Sequence, residues 1–213
     1  HKLLLPTYDV FDESRYFDPG TRVTLVTHAG VRIAITICED IWNDKIFWMR
    51  RRYDRDPVEE AVGQGAQLII NLSGSPWGVG KPALRERMLA AAARRHRVPI
   101  VYANLVGGND ALIFDGASLV IGADGEVLYR CRRFEEDLAV VDVSPAQVHA
   151  PGAPHRPEAA LPVPGESIDA LDLDELFAAL TLGLRDYCRK TGFRSVVLGL
   201  SGGIDSALVA TLA

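Results

Sequence analysis

Apolar and polar positions along the chain fall into short runs with two periods. Val23-Thr24-Leu25-Val26-Thr27 predicts a strand, and His28-Ala29-Gly30 a turn. Val31 to Cys38 predicts a second strand, with Ile33, Ile35 and Ile37 on one face. Pro57 to Val62 reads as a helix leading into a buried strand at Leu68-Ile69-Ile70-Asn71-Leu72. Pro82 to His96 has helical spacing, with proline in its first turn and Leu84, Met88, Ala91 and Ala92 on one stripe. Ile100 to Ala103 predicts a further strand. Ser118–Ile121 and Val127–Arg130 predict a hairpin around Asp124-Gly125, and Leu138 to Val143 a last strand. Strands alternating with helices argue for a layered α/β domain. A second segment then opens with a helix from Asp169 to Lys190, its apolar positions Leu173, Leu176, Phe177, Leu180 and Leu184, ended by Gly192. Ser195 to Leu200 predicts a strand, Ser201 to Ser206 a glycine-rich turn, and Ala207 to Ala213 the start of a helix.

Proline placement sets the domain boundaries. Six of the twelve prolines lie at 145, 151, 154, 157, 162 and 164, where neither a helix interior nor a central strand can form. Residues 144–166 are therefore expected to be a linker or an extended strap, with one domain over 1–143 and another beginning at 167.

Composition narrows the functional class. The 213 residues are 48% hydrophobic and 24% charged, as in an ordinary globular protein. The formal charge of −5 argues against a generally basic nucleic-acid binder. No apolar run approaches the roughly 18 residues that span a bilayer, so no membrane-spanning helix is expected. Three widely spaced cysteines, Cys38, Cys131 and Cys188, make neither a disulfide framework nor a CxxC metal site, and they suit a reducing cytosol. The chain opens on His1 with no Met and no secretory leader, so the start is expected upstream and the chain to be a fragment.

Two places carry chemistry. In the first, strand, Ser201-Gly202-Gly203-Ile204-Asp205-Ser206 and helix put bare backbone at a helix N-terminus. The glycines permit a sharp turn and close approach, and the free N–H groups with the helix dipole attract phosphate. There is no lysine of the GxxxxGK[ST] kind. Asp205 inside the turn would repel phosphate unless a cation such as Mg²⁺ bridged them. The plain alternative is a strand-to-helix turn capped by Ser and Asp. The second place is Cys38, at the end of an apolar strand and beside Glu39 and Asp40. Two adjacent carboxylates oppose the thiolate, so a working Cys38 needs a cation or base from elsewhere. His28, His96, His149 and His155 are the histidines weighed for that part. An inert core cysteine is the alternative.

Gly199-Leu200-Ser201-Gly202-Gly203-Ile204-Asp205-Ser206 resembles the pyrophosphate loop of the ATP pyrophosphatase superfamily, whose members adenylylate an acyl group that ammonia then attacks. The block from His1 to Phe17, Ile37-Cys38-Glu39-Asp40-Ile41-Trp42, Asn71 to Pro76, and Phe114-Asp115-Gly116-Ala117-Ser118 resemble the nitrilase, or carbon–nitrogen hydrolase, superfamily with its Glu–Lys–Cys triad. Joined in this order, the two modules resemble the glutamine-dependent NAD synthetase family.

That resemblance implies a nitrilase-like α-β-β-α sandwich followed by the start of a Rossmann-like ATP-pyrophosphatase domain. It implies a ligase that hydrolyses L-glutamine and uses the ammonia to amidate deamido-NAD⁺, with ATP as substrate and Mg²⁺ as cofactor. Cys38 is the implied nucleophile and Lys2 the triad lysine. The general-base Glu falls before His1. Tyr8, Glu13, Glu39, Ser75 and Lys81 are the implied glutamine contacts, Glu13 also supporting Lys2. Gly199, Leu200, Ser201, Gly202, Gly203, Ile204, Asp205 and Ser206 are the implied ATP contacts, with Asp205 on the metal. A cytoplasmic homo-oligomer, with no nucleic-acid or membrane partner, is implied for the full-length protein. A stand-alone nitrilase-type amidase and a non-catalytic glutamine- or nucleotide-binding module are the rival readings. Thr7, Asn109 and Trp77 depart from the family's usual Asn, Gln and Phe. The segment 43–64 is longer and more basic than the family's, and its Arg50-Arg51-Arg52 run reads as a solvated face or subunit contact.

Overall fold

The computed structural model describes residues 1–50, 52–146 and 172–213. Their elements are β1 (Thr24–His28), β2 (Val31–Ile37), α1 (Pro57–Gly63), β3 (Leu68–Ser73), α2 (Lys81–His96), β4 (Ile100–Asn104), β5 (Val106–Asn109), β6 (Leu112–Asp115), β7 (Leu119–Ile121), β8 (Val127–Arg130), α3 (Leu173–Thr191) and α4 (Ile204–Leu212). Six strands form one sheet in the order β1-β2-β3-β4-β7-β8, while β5 and β6 pair separately. The central pairs β2–β3 and β3–β4 are parallel and the outer pairs antiparallel. Ala29 and Gly30, with φ of 47° and 79°, make the two-residue turn between β1 and β2 that strand twist favours.

Register explains the core. Ala34, Ile69, Ile100 and Ile121 lie side by side across four strands, all fully buried. Ala61 of α1 and Met88, Leu89 and Ala93 of α2 belong to the same cluster. Each large aliphatic side chain buried there contributes about 1.5–3 kcal/mol. The next row, Thr36, Asn71, Tyr102 and Leu119, is equally buried but largely polar, and it lies nearer the strand ends that carry the site.

Several expectations are corrected. The face of β2 with Ile33, Ile35 and Ile37 is half-buried, and the deeper face is that of Ala34 and Thr36. The isoleucine face is the more apolar, yet it is Ala34 that joins the cluster with the helix residues Ala61, Met88 and Leu89, which period alone could not show. The buried stripe of α2 is Arg85, Met88, Leu89, Ala92 and Ala93, because the Arg85 charge is paired inside and turns the helix away from Leu84 and Ala91. Residues 138–143 form no strand, with Leu138 and Val140 exposed. Residues 195–200 likewise make no ladder, and Val197 is fully exposed. Propensity marks such runs, but a strand exists only where a neighbour takes its hydrogen bonds, and neither run has one among the described residues. The β5–β6 hairpin was not anticipated, because Gly107 and Gly108 interrupt its pattern. The proline-rich segment expected over 144–166 lies, from residue 147 on, outside the described residues, as does the expected helix start at 169–171.

α3 is capped at its start by Asp172, whose carboxylate accepts from the N–H groups of Asp174 and Glu175, and at its end by Gly192 with φ of 81°. It packs on the β5–β6 hairpin. Asp186 Oδ2 accepts from the Gly108 N–H at 2.9 Å, and Lys190 Nζ donates to the Gly108 carbonyl. A Cβ on Gly108 would stand 2.9 Å from Gly183 Cα, so glycine is what allows this close approach. No helix among the described residues is long and apolar enough to cross a membrane.

Candidate active site

Cys38 is not the last residue of a strand, as its sequence context suggested. β2 ends at Ile37, and Cys38 opens a 3-10 turn, Cys38–Ile41, with φ of +45°. A left-handed φ on a non-glycine residue costs about 1–2 kcal/mol and concentrates at functional sites. Asn71 Nδ2 donates to Thr36 Oγ1 at 2.9 Å and to the Cys38 carbonyl at 3.4 Å, which pins the elbow from the polar row beneath.

The two carboxylates after Cys38 separate by direction. Asp40 turns inward and is 1% exposed. Its Oδ1 accepts from the N–H groups of Leu3 and Leu4 at 2.9 and 2.8 Å, and its Oδ2 from Ile37 N–H at 3.0 Å. Burial pushes its carboxyl up from the ordinary range, against those three donors. One side chain thus ties the segment that carries Lys2 to the elbow that carries Cys38. Glu39 faces the cavity, where Tyr8 Oη donates to its Oε2 at 2.8 Å and Tyr53 Oη to its Oε1 at 3.2 Å. Both phenols are pushed up, by burial first and then by the Glu39 charge.

Lys2 Nζ donates to both oxygens of Glu13, which sits on the 3-10 turn Glu13–Arg15. The Lys2 charge reaches Cys38. Burial raises the Cys38 thiol above the ordinary thiol range, while Lys2, the Gly74 N–H and the Ser73 hydroxyl pull it down and Glu39 adds to the rise. The cation demanded by two neighbouring carboxylates is therefore present; His28 and His96 do not line the cavity, and His149 and His155 lie outside the described residues.

Lys2, Tyr8, Glu13, Cys38 and Glu39 line one open cavity of about 900 Å³, together with Ser75, Lys81 and the rings of Trp42, Trp48 and Trp77. Ser75 is buried. Lys81 Nζ lies 5.6 Å from the Trp42 ring, and burial, then the nearby Arg85 charge, lowers its pKa. All seven residues expected at this site, Lys2, Tyr8, Glu13, Cys38, Glu39, Ser75 and Lys81, meet here. Two others were missed. Arg52 is exposed, as a solvated run would be, but its guanidinium lies 3.8 Å from the Tyr8 ring centroid. Tyr53 shares Glu39 with Tyr8. The basic 50–52 run beside a tyrosine was the available signal.

The eight residues of the second motif lie apart from that cavity. Residues 199–203 form an exposed turn, with Gly202 at φ of +84°. α4 starts at Ile204, three positions earlier than expected, so Asp205 and Ser206 sit in its first turn. Ser206 Oγ donates to the Gly203 carbonyl at 3.0 Å and lies 3.2 Å from Ser201 Oγ. No side chain caps the N-terminus of α4. Its first N–H groups therefore point outward beside two hydroxyls, an arrangement suited to an anion.

Cys131 is the rival thiol on sequence grounds, since it lies between Arg130 and Arg132. Both arginines turn away, Arg130 to Glu86 and Arg132 to Glu135. Burial, then Asp137, raises the Cys131 thiol. A glutamine-like electrophile is expected to label Cys38 and spare Cys131 and Cys188. With Cys38 raised, its labelling by a neutral electrophile should climb with pH beyond the range where a free cysteine levels off. Mass-spectrometric mapping across pH checks both, and label found chiefly on Cys131 or Cys188 would remove Cys38 from the site.

Comparison with known proteins agrees with this geometry. The pattern of the NAD synthase family matches residues 176–213. A glutamine-dependent NAD(+) synthetase of Synechocystis sp. is 45% identical over all 213 residues. The chain spans 36% of that relative's length. The solved glutamine-dependent NAD+ synthetase of Acinetobacter baumannii, in complex with ADP, superposes over 100% of this chain and 36% of its own with a TM-score of 0.78 and 36% identity. An amidase of the nitrilase superfamily from Nesterenkonia shares the fold over 62% of this chain and 44% of its own, with a TM-score of 0.51 and 23% identity. The carbon–nitrogen hydrolase pattern matches residues 1–150, which hold the whole six-stranded sheet and every side chain of the Cys38 cavity, and the chain belongs to that family.

Proposed function

We propose that this chain is part of a glutamine-dependent NAD⁺ synthetase. The observation that carries the reading is the presence in one chain of two sites: a strained cysteine elbow served by Lys2, and a Ser-Gly-Gly turn before an uncapped helix. Relatives at 36–45% identity that carry this name match the chain over its length.

At the first site, Cys38 Sγ attacks the carboxamide carbon of glutamine. Lys2 Nζ stabilises the oxyanion of the tetrahedral intermediate. Ammonia leaves as the thioester forms, and water then releases glutamate. A glutamate of the preceding chain serves as general base. Glu13 holds the Lys2 ammonium in place. Glu39 and Tyr8 take the α-ammonium end, and Ser75 and Lys81 the α-carboxylate.

At the second site, Gly199 to Ser206 hold the phosphates of ATP. The nicotinate carboxylate of deamido-NAD⁺ attacks the α-phosphorus and pyrophosphate leaves. Ammonia then attacks the acyl carbon, displacing AMP and giving NAD⁺. Asp205 is exposed and makes no hydrogen bond or ion pair among the described residues, and it belongs to the same turn as the paired Ser201 and Ser206 hydroxyls. Such hard oxygen donors fit Mg²⁺, which would offset phosphate charge there. Ammonia passes internally between the sites. The reading divides the chain into units over 1–143 and from 167 on, and places the full-length enzyme in the cytoplasm as a homo-oligomer. The test supplies full-length protein with deamido-NAD⁺, ATP and glutamine carrying heavy amide nitrogen. Heavy nitrogen is expected in the NAD⁺ carboxamide, with AMP and pyrophosphate released. Glutamate release without NAD⁺ would reduce the protein to an amidase.

A further inference from the structure

The loop that carries Ser75 runs from the end of β3 to the start of α2 with no secondary structure of its own. Such a segment presents a ligand-facing residue reproducibly only if other groups fix it. Here one side chain takes both backbone groups of Ser75. Asn104, at the end of β4, accepts from the Ser75 N–H through Oδ1 at 2.9 Å and donates from Nδ2 to the Ser75 carbonyl at 3.3 Å. The amide stands in for a neighbouring strand that the loop lacks.

The orientation of that amide is set from behind. Asn104 Nδ2 also donates to Asp115 Oδ1 at 3.3 Å, and a carboxylate paired with arginine can only accept. Asp115 is fully buried and receives two bonds from Arg85, at 3.1 and 2.5 Å, which is itself 1% exposed. The Asn104 N–H is taken by Ser118 Oγ at 2.9 Å. Arg85 follows Lys81 by one helical turn on the same face of α2, so the same pair fixes the helix end where Lys81 enters the cavity. Attraction between two buried charges barely offsets their desolvation, so stability alone does not account for this pair.

We propose that Asn104 is a positioning residue for the cavity, holding Ser75 in place, and that Asp115 and Arg85 set its amide. The proposal rests on the glutaminase reading of that cavity. Asn104→Ala in the full-length protein is expected to raise the KM for glutamine about tenfold or more, with kcat changed less. NAD⁺ formation from ammonium should stay at the unmodified rate. Asn104→Asp keeps the shape but places a second carboxylate against Asp115. Its KM should be raised at alkaline pH and fall back as pH drops, because a protonated carboxyl regains the lost donor. The unmodified protein should lack that slope.

If Asn104→Ala is recovered unfolded, the pH profile of Asn104→Asp decides. Unchanged KM in the variants, or equal loss with glutamine and ammonium, overturns the proposal alone. Full-length protein that leaves glutamine intact overturns the glutaminase reading and this proposal with it.

Discussion

In the full-length protein, Cys38→Ala is expected to abolish NAD⁺ formation from glutamine while synthesis from ammonium salt continues near the unmodified rate. Among the described residues the other groups at the elbow are engaged elsewhere, Ser73 Oγ donating to Asn71 Oδ1 at 2.7 Å. Asp40 is committed to three backbone N–H groups, Glu39 to two phenols and Lys2 to Glu13. The loss should exceed about a thousandfold, because an acyl-transfer step without its nucleophile retains only what binding and oxyanion stabilisation supply. Alanine meets the same left-handed backbone penalty as cysteine, and the elbow remains held by Asn71 and Asp40, so the fold should persist. The assay is NAD⁺ production from each nitrogen source beside glutamate release. Full activity with glutamine would show that the thioester does not form at Cys38. Equal loss with both sources would show that the substitution acts through the fold.

The sequence revealed the parts of this site whose signal is local, and hid those set by distant contacts. Cys38, Lys2, Glu39, Ser75 and Lys81 lie in blocks that can be read a few residues at a time, and the cavity contains all of them. The positive φ of Cys38 could not be read, since an apolar run ending in cysteine continues naturally as a strand. Nor could the opposite directions of Glu39 and Asp40, which follow one another in sequence. Their separation depends on Leu3 and Leu4 arriving from 37 and 36 residues away. Arg85 broke the α2 stripe for the same reason, its partner Asp115 lying 30 residues on. The strands of the sheet were found because their apolar runs are bounded by turns. The β5–β6 hairpin was missed because Gly107 and Gly108 carry no side chains to show a period, although they make the seat for α3.

That seat matters for the second site, which hangs from α3 rather than from the sheet. Asp205→Ala is expected to act in the opposite direction to Cys38→Ala: NAD⁺ formation should fail with glutamine and with ammonium alike, while glutamine hydrolysis continues. Asp205 is exposed in the first turn of α4 and bonds to no group among the described residues, so its removal should leave the turn intact. An acidic side chain at a helix N-terminus stabilises the helix by only about 0.3–1 kcal/mol, too little for its loss to unfold the protein. What is lost is the carboxylate that would hold a divalent cation against the ATP phosphates. Titrating Mg²⁺ against the initial rate with ammonium distinguishes two causes. A weakened metal site should recover part of the rate at high Mg²⁺, whereas a damaged fold should not. The surviving rate of glutamine hydrolysis measures coupling between the sites, since α3 clasps the hairpin that supplies Leu112 to the cavity. An unaltered ammonium-dependent rate in Asp205→Ala would leave residues 201–206 as a structural turn.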